Sequence, residues 1–503
     1  MTLVKRNIIA NFTAQGWSAL MGLVFVPLYI KFLGIEAYGL IGFFAMLQGA
    51  FQILDLGLRQ TMNREMARYS VLPDKAAEAR DLVRTLETVY WAIGIIISAG
   101  VLIAAPFIAG HWIKAGSIPV TTIQQAVMIM GVLVAFQWPL SFYEGGLMGL
   151  QRQMLANGIK IAISTLGSLG AIFILWKVSP TITAYFTWQI FVNALYVVLL
   201  TVFLWRCLPR TDRSPNFTPQ LLRTIWRFAA GMSGISIAAI ILTQLDKVIL
   251  SKMLSLEMFG YYTLAGVVSS VVPVMLAGPI FNAIFPRFTS LVTMHDETAL
   301  KLLYHQSSQL MAVIVLPMAI VLSFFSYDIL LAWTGSVNTA GNAAPIVSVL
   351  VIGMALNALM TMPYALQLSH GWTSIGLFIT IFLIITLVPV IYLMTTHYGA
   401  VGAAGAWVIL NTIYMLIGVP LTHRRLLKGE MKHWLLEDTL FPAVASLSVV
   451  CVGRVLITST PTSATTIIIV STVLIIALLT AALATSHTRE WLLLQLKKKV
   501  ENV

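Results

Sequence analysis

Long apolar runs separated by short polar segments fill the chain from end to end. The runs reach about 20 residues or more, the length of a membrane-crossing helix, and lack the alternating ten-residue pattern of an outer-membrane barrel. The pattern predicts fourteen spans. Six lie at 7–32, 38–62, 86–109, 122–148, 157–178 and 183–205. Six more lie at 228–250, 261–285, 303–331, 343–368, 374–396 and 401–421, and a last two at 440–456 and 466–484. The expectation is an all-α polytopic membrane protein with about 14 transmembrane helices. Residues 1–205 form one six-helix lobe, 206–227 a basic linker, and 228–421 a second six-helix lobe. Residues 422–503 add an interfacial segment, two extra helices and a basic tail. Prolines 27, 139, 273, 279, 317, 363 and 389 fall inside spans, where each removes a helical hydrogen bond and bends the helix.

Polar residues recur within these spans at helical spacing. Asn7, Asn11, Gln15, Ser18 and Gly22 share one face of the first span, and Gln48, Gln52, Asp55 and Arg59 one face of the second. Gln137, Ser141, Glu144 and Gln151 do so in the fourth, and Asn157, Lys160, Ser164 and Ser168 in the fifth. The seventh carries Ser233, Ser236, Thr243 and Lys247, with Gln244 and Asp246 beside them, and the tenth Asn357, Thr361 and Tyr364. Ser, Thr and Asn at such positions ordinarily join helices to one another. Charges are different, because one at bilayer depth costs about 2.5–3.5 kcal/mol even on insertion scales, so it tends to line a pathway. Arg59, Lys160 and Lys247 are therefore the candidate cations of a wet interior, and Asp55, Glu144 and Asp246 its carboxylates. Cationic walls suit an anionic ligand such as phosphate. The carboxylates have two readings: pairing with those cations, preferred for Asp55, or carrying protons, open for Glu144 and Asp246.

Composition agrees. The chain of 503 residues is 58% hydrophobic and 10% charged, against about 25% charged in soluble domains. A net charge of +12 does not indicate nucleic acid, because the basic residues sit between spans. Twenty-five of the 31 fall on one side of the predicted topology. The other six are Lys31, Lys114, Lys177, Lys247, Lys252 and Arg454. With an even span count, this bias puts both termini in the cytoplasm. Cys207 and Cys451 have apolar flanks, and no CxxC or Cys/His cluster points to a metal or a disulfide framework, so no cofactor is expected. The basic start MTLVKRN leads into a run too long for a signal peptide and reads as the first span. There is no G-x-x-x-x-G-K-[ST] motif for an ATP-driven pump, and no outer loop large enough for a glycan polymerase.

One short signature returns. LGIEAYG at 33–39 and LSLEMFG at 254–260 are offset by 221 residues, each in the outer turn after the first span of a six-span unit. Six is even, so the halves form a parallel repeat, as in two-lobed transporters.

These stretches, with Asn7 to Gly22, PLYIKFLGIEAYGLIGFF, DLGLRQTMNREMAR, QLDKVILSKMLSLEMFGYYTLA and HYGAVGAAGAWVILN, carry a diffuse resemblance over most of the chain. The chain resembles the Wzx-like polysaccharide and O-antigen flippases of the multidrug/oligosaccharidyl-lipid/polysaccharide exporter superfamily. The resemblance implies two six-helix lobes in a V around a central cavity, working by alternating access in the bacterial inner membrane. It implies a substrate of undecaprenyl pyrophosphate bearing an oligosaccharide, and a polysaccharide polymerase and chain-length regulator as partners. Many relatives have twelve spans; the two extra ones here are like those of lipid II flippases, which keeps a lipid II-type substrate open beside a drug or cation antiporter.

Overall fold

The computed structural model describes residues 3–55, 57–70, 72–271, 277–456 and 463–490. Side chains at 3–6, 8–9, 73, 223–236, 239, 456 and 463–464 lie outside the description, as do Pro273 and the lysine cluster of the tail. The described chain is helical, with one isolated bridge between Lys114 and Ser255. Two compact units divide it, Met1–Gly260 and Tyr261–Val503.

In the first unit the apolar runs become helices broken where the backbone demands it. The first span is α1 (Leu3–Val24) followed by α2 (Val26–Leu33), parted before Pro27, which sits in the first turn of α2. The second was expected as one helix over 38–62. Instead α3 (Ile35–Phe51) tightens into a 3-10 turn at Gln52–Asp55, and Gly57, in the left-handed region at φ 75°, starts α4 (Leu58–Tyr69). A residue with a side chain would resist that φ, so the glycine fixes the break. The third span extends into α5 (Ala76–Phe107), and the fourth divides at Pro139 into α6 (Val120–Gln137) and α7 (Leu140–Gly149). Then come α8 (Gln153–Lys177) and α9 (Ile182–Cys207), the latter capped by Thr181, whose Oγ1 accepts from the Ala184 N–H at 3.3 Å.

The proline-rich linker is pinned to α5. Arg213 pairs with Asp81 at 2.8 Å, and the Asn216 N–H donates to the same carboxylate at 2.7 Å. The Thr218 N–H donates to Thr85 Oγ1 at 2.9 Å, and α10 (Pro219–Met253) then packs against α3, α4 and α5 within the first unit.

After α11 (Leu256–Ser269), the second unit continues through α12 (Gly278–Thr293), α13 (Glu297–Phe324), α14 (Ser326–Thr334), α15 (Val337–Leu359) and α16 (Thr361–Ser369). Next, α17 (Thr373–Arg425) holds two expected spans in one run, kinked at Gly399 with φ 59° and ψ −140°. A short α18 (Met431–His433) opens into a wide π-type turn, Trp434–Leu440, before α19 (Phe441–Leu456) and α20 (Ser463–Ala484). Phe288, Tyr304, Met311 and Trp434 anchor the core of this unit. The two final helices dock on α13, where Val450, Val473 and Ala477 meet Val321 and Phe325. Arg454 and Asp328 add an ion pair at 2.7 Å.

Among the described residues, eleven helices are long and apolar enough to cross a membrane, and the one over Thr373–Arg425 contains two expected crossings. The seventh and eighth expected spans run into 223–236 and 272–276, outside the described side chains or backbone. The count of fourteen remains an expectation.

The two copies of the repeated signature touch. A Cβ on Gly39 would strike the Leu256 carbonyl oxygen, and one on Gly260 would strike that of Ile35. Leu256 N–H also donates to the Lys114 carbonyl at 2.8 Å. Glu36 of the first copy accepts from the backbone N–H groups of Gly116 (2.6 Å) and Ser117 (3.0 Å) and from the Ser117 hydroxyl. The signature thus joins two helix starts and the loop around Gly116 by backbone contact, which a side chain at either glycine would wedge apart. Gly39→Ala and Gly260→Ala are each expected to lose about 1–3 kcal/mol of stability through overpacking. Gly266→Ala, where nothing lies within 4 Å of the added carbon, is expected to be neutral or better; thermal unfolding of the three purified variants checks the order.

Candidate functional site

The first unit contains a cavity of about 590 Å³ that gathers most of the charge predicted at bilayer depth. Gln48, Gln52, Asp55, Arg59 and Gln60 line it from α3, the 3-10 turn and α4. Gln137, Trp138, Ser141 and Glu144 face it from the α6–α7 break, and Lys160 from α8. The second-span stripe was derived from continuous helical phase; the break at Gly57 removes that phase, yet all four residues still reach one hollow.

Close helix approach sets the geometry. Gly145 and Gly149, four residues apart on α7, lie against the α4 backbone: a Cβ on Gly145 would come within 2.8 Å of the Arg59 carbonyl oxygen. This small-residue face is the usual means of bringing membrane helices together. It puts the Arg59 guanidinium 3.0 Å from Glu144 Oε2, with side chains 41% and 15% exposed. Tyr196 on α9 donates to the other carboxylate oxygen at 2.7 Å.

Asp55 is held separately. Its Oδ1 accepts from the Tyr90 hydroxyl at 2.7 Å and from Ser141 at 3.3 Å, while Oδ2 accepts from the Arg59 N–H at 3.3 Å. The preferred expectation pairs Asp55 with a cation; instead Asp55 binds the backbone of the first turn of α4 and the Arg59 guanidinium turns to Glu144. Gln48 and Gln137 hydrogen-bond across the cavity. Lys160 is half-buried, and no hydrogen bond or ion pair engages it among the described residues. Both carboxylates are engaged and one ammonium is free, so the hollow presents positive charge.

The remaining predicted residues fall elsewhere. Lys247 is half-buried on α10, 3.5 Å from Gln244 Oε1, and is not among the residues lining this cavity. Gln244 packs on Gly49, and Asp246 is 2% exposed. Asn11 donates to Gln153 at 2.9 Å and accepts from Asn157 at 2.5 Å, and Asn7 donates to Gln151 at 3.4 Å. These amides fasten α1 to α8. Gln15 is exposed, and the Ser164 hydroxyl donates to the Ile161 carbonyl. Asn357 bonds Asn411 at 2.8 Å in the second unit. Ser233 and Ser236 lie outside the described side chains. Tyr90 and Tyr196, which hold the two carboxylates, escaped sequence reasoning because single tyrosines in apolar helices leave no stripe.

A second cavity of about 660 Å³, lined by Trp91, Ile95, Val197, Val198 and Val202, is mostly apolar. Its buried Glu87 already accepts from Tyr143 (2.7 Å), Trp205 (3.3 Å) and Arg84 (3.2 Å). It offers no free charge and is the weaker candidate.

Arg59→Ala, Glu144→Ala and the double variant form a thermodynamic cycle. For a partly exposed pair the expected coupling is about 0.5–1 kcal/mol in thermal unfolding. Additive losses would show the two side chains to act independently.

Residues 4–292, more than half of the chain, match the family model described as polysaccharide biosynthesis protein. A candidate O-antigen transporter of Shigella flexneri is 23% identical over 411 residues, covering 81% of this chain and 94% of that one. Among solved structures, the lipid II flippase MurJ in an inward closed conformation is similar with TM-score 0.68 and 14% identity, over 94% of this chain and 97% of that one. An inward-facing multidrug transporter of the MATE family has TM-score 0.63 and 15% identity, over 84% and 95%. At such identities the solved structures speak for the fold alone. The chain belongs to the polysaccharide biosynthesis protein family and has the fold of the membrane transporters of the multidrug/oligosaccharidyl-lipid/polysaccharide exporter superfamily.

Proposed function

We propose that the protein is a flippase for lipid-linked oligosaccharide, moving undecaprenyl-pyrophosphate-linked O-antigen or polysaccharide repeat units from the cytoplasmic to the periplasmic leaflet by alternating access. In this reading it sits in the inner membrane with both termini in the cytoplasm, and the halves related by the repeated signature act as its two lobes. The observation that carries the reading is the first-unit cavity, where Lys160 is unengaged and both carboxylates are already bound. Lys160 receives the pyrophosphate first and Arg59 joins it by exchanging Glu144 for phosphate, a compact ammonium and a delocalised guanidinium being complementary ligands. Gln48, Gln52 and Gln137 offer amides to sugar hydroxyls, and the lipid tail stays in the bilayer. Membership of a polysaccharide biosynthesis family and similarity to a candidate O-antigen transporter support the choice of substrate.

Antiport of an organic cation on the same fold fits the cavity less well. A cation needs a free carboxylate, and Glu144 is paired with Arg59 while Asp55 accepts three hydrogen bonds.

Lys160→Ala and Arg59→Ala, present in the membrane at wild-type level, are expected each to cut export of lipid-linked glycan about tenfold, the equivalent of about 1.4 kcal/mol of lost anion binding. Lys160→Arg should retain most export. Unchanged export in both alanine variants would remove the cationic site. Lys247→Ala, outside this cavity, measures whether a third cation contributes.

A further inference from the structure

The second unit holds a cluster of polar groups that transport does not use. His305 lies on α13, near its start, while His433 immediately precedes the wide turn that leads into α19 and Asp438 sits within it. In an ordinary α-helix residues five apart diverge, but the π-type turn closes i→i+5 bonds and brings His433 and Asp438 together. The two imidazole rings lie 4.2 Å apart between centroids. Asp438 is fully buried and the His305 side chain is 7% exposed.

Hydrogen bonding around these groups is lopsided. His305 Nδ1 lies 2.6 Å from Asp438 Oδ2, and Gln309 Nε2 donates to Asp438 Oδ1 at 3.0 Å. A carboxylate is an acceptor, so His305 places a proton on Nδ1, and its Nε2 is a metal-ligand lone pair only in the neutral ring. That Nε2 is buried, makes no hydrogen bond, and faces another acceptor, Glu430 Oε2, at 3.4 Å. His433 Nε2 is also buried without a hydrogen bond, 3.6 Å from Glu437 Oε2 and 3.8 Å from Asp438 Oδ1. One ligand atom from each of His305, His433 and Asp438 can be chosen so that all lie within 4.8 Å of one another. Imidazole nitrogens and carboxylate oxygens gathered this closely need positive charge among them, which either a second proton on His305 or a bound metal ion supplies. Lys301 does not supply it, because its ammonium engages the outer oxygen of Glu430 at 3.2 Å.

We propose that His305, His433 and Asp438 form a binding site for a divalent transition metal of the zinc class, with Glu430 and Glu437 as the carboxylates beside it. Two imidazoles with carboxylate suit Zn²⁺ and disfavour Mg²⁺ and Ca²⁺, which take all-oxygen shells. The metal joins α13 to the segment that begins the last two helices, so its role is to fasten that pair to the rest of the second unit. Gln309 extends the same seam, donating to Ser486 at 3.2 Å and accepting from the His487 N–H at 3.0 Å beyond α20.

The test uses the full-length protein in detergent, with any affinity tag removed, stripped with chelator and then given ZnCl₂. After desalting, about one equivalent of zinc should remain per chain, and zinc should raise the melting temperature by several degrees, while MgCl₂ does neither. His433→Ala and His305→Gln should each lose the retained zinc and the thermal shift. His370→Ala, a histidine outside the cluster, should keep both. Should His305→Gln fail to fold, His433→Ala carries the comparison, its side chain being 34% exposed. Substoichiometric zinc in the wild type, equal retention of Mg²⁺, or wild-type zinc binding by His433→Ala would each overturn the site. Glycan export plays no part in these readouts, so failure here leaves the flippase reading standing.

Discussion

A charged side chain within hydrocarbon has no water to turn to, so the surrounding protein must neutralise it or leave it where something else will. That constraint orders the first unit. Asp55 is tied by Tyr90, Ser141 and the backbone of α4; Glu144 is tied by Arg59 and Tyr196. Each attachment draws two helices together at a chosen height, and the glycines of α7 permit the approach. The residue left over, Lys160, gives the cavity its sign. The net electrostatic character of the hollow thus comes from which charges are already consumed, and not from a count of acidic and basic residues.

Fold class was legible because length and hydropathy are read directly by the bilayer: almost every described run expected to span is a helix, and the stripe of the second span, most of that of the fourth and Lys160 of the fifth meet in one hollow. Helical phase alone misled where it assumed continuity. Gly57 and Pro139 interrupt two spans beside the cavity, and those interruptions let residues from different turns converge. The partners of the carboxylates were harder to see, since a hydroxyl on an aromatic ring in an apolar helix has no periodic accompaniment. The asparagines of α1 and α8, by contrast, bind one another, as amides between membrane helices commonly do.

The last two helices show a different limit. The interfacial segment expected at the start of 422–503 contains Trp434 and Asp438, which are fully buried against α13. A π-type turn has no signature in a pattern read at 3.6 residues per turn, and its five-residue spacing hid the neighbourhood of His433 and Asp438. Histidines 128 positions apart in sequence likewise gave no local motif.

The meeting of the two signature copies carries a consequence for how such a chain can change. Each copy's glycine is the landing ground for the other's main chain, so neither stretch is free to drift alone. A bulkier residue on one side demands retreat on the other. Both stretches belong to the unit Met1–Gly260, and this seam obliges the pair to alter in concert or stay small.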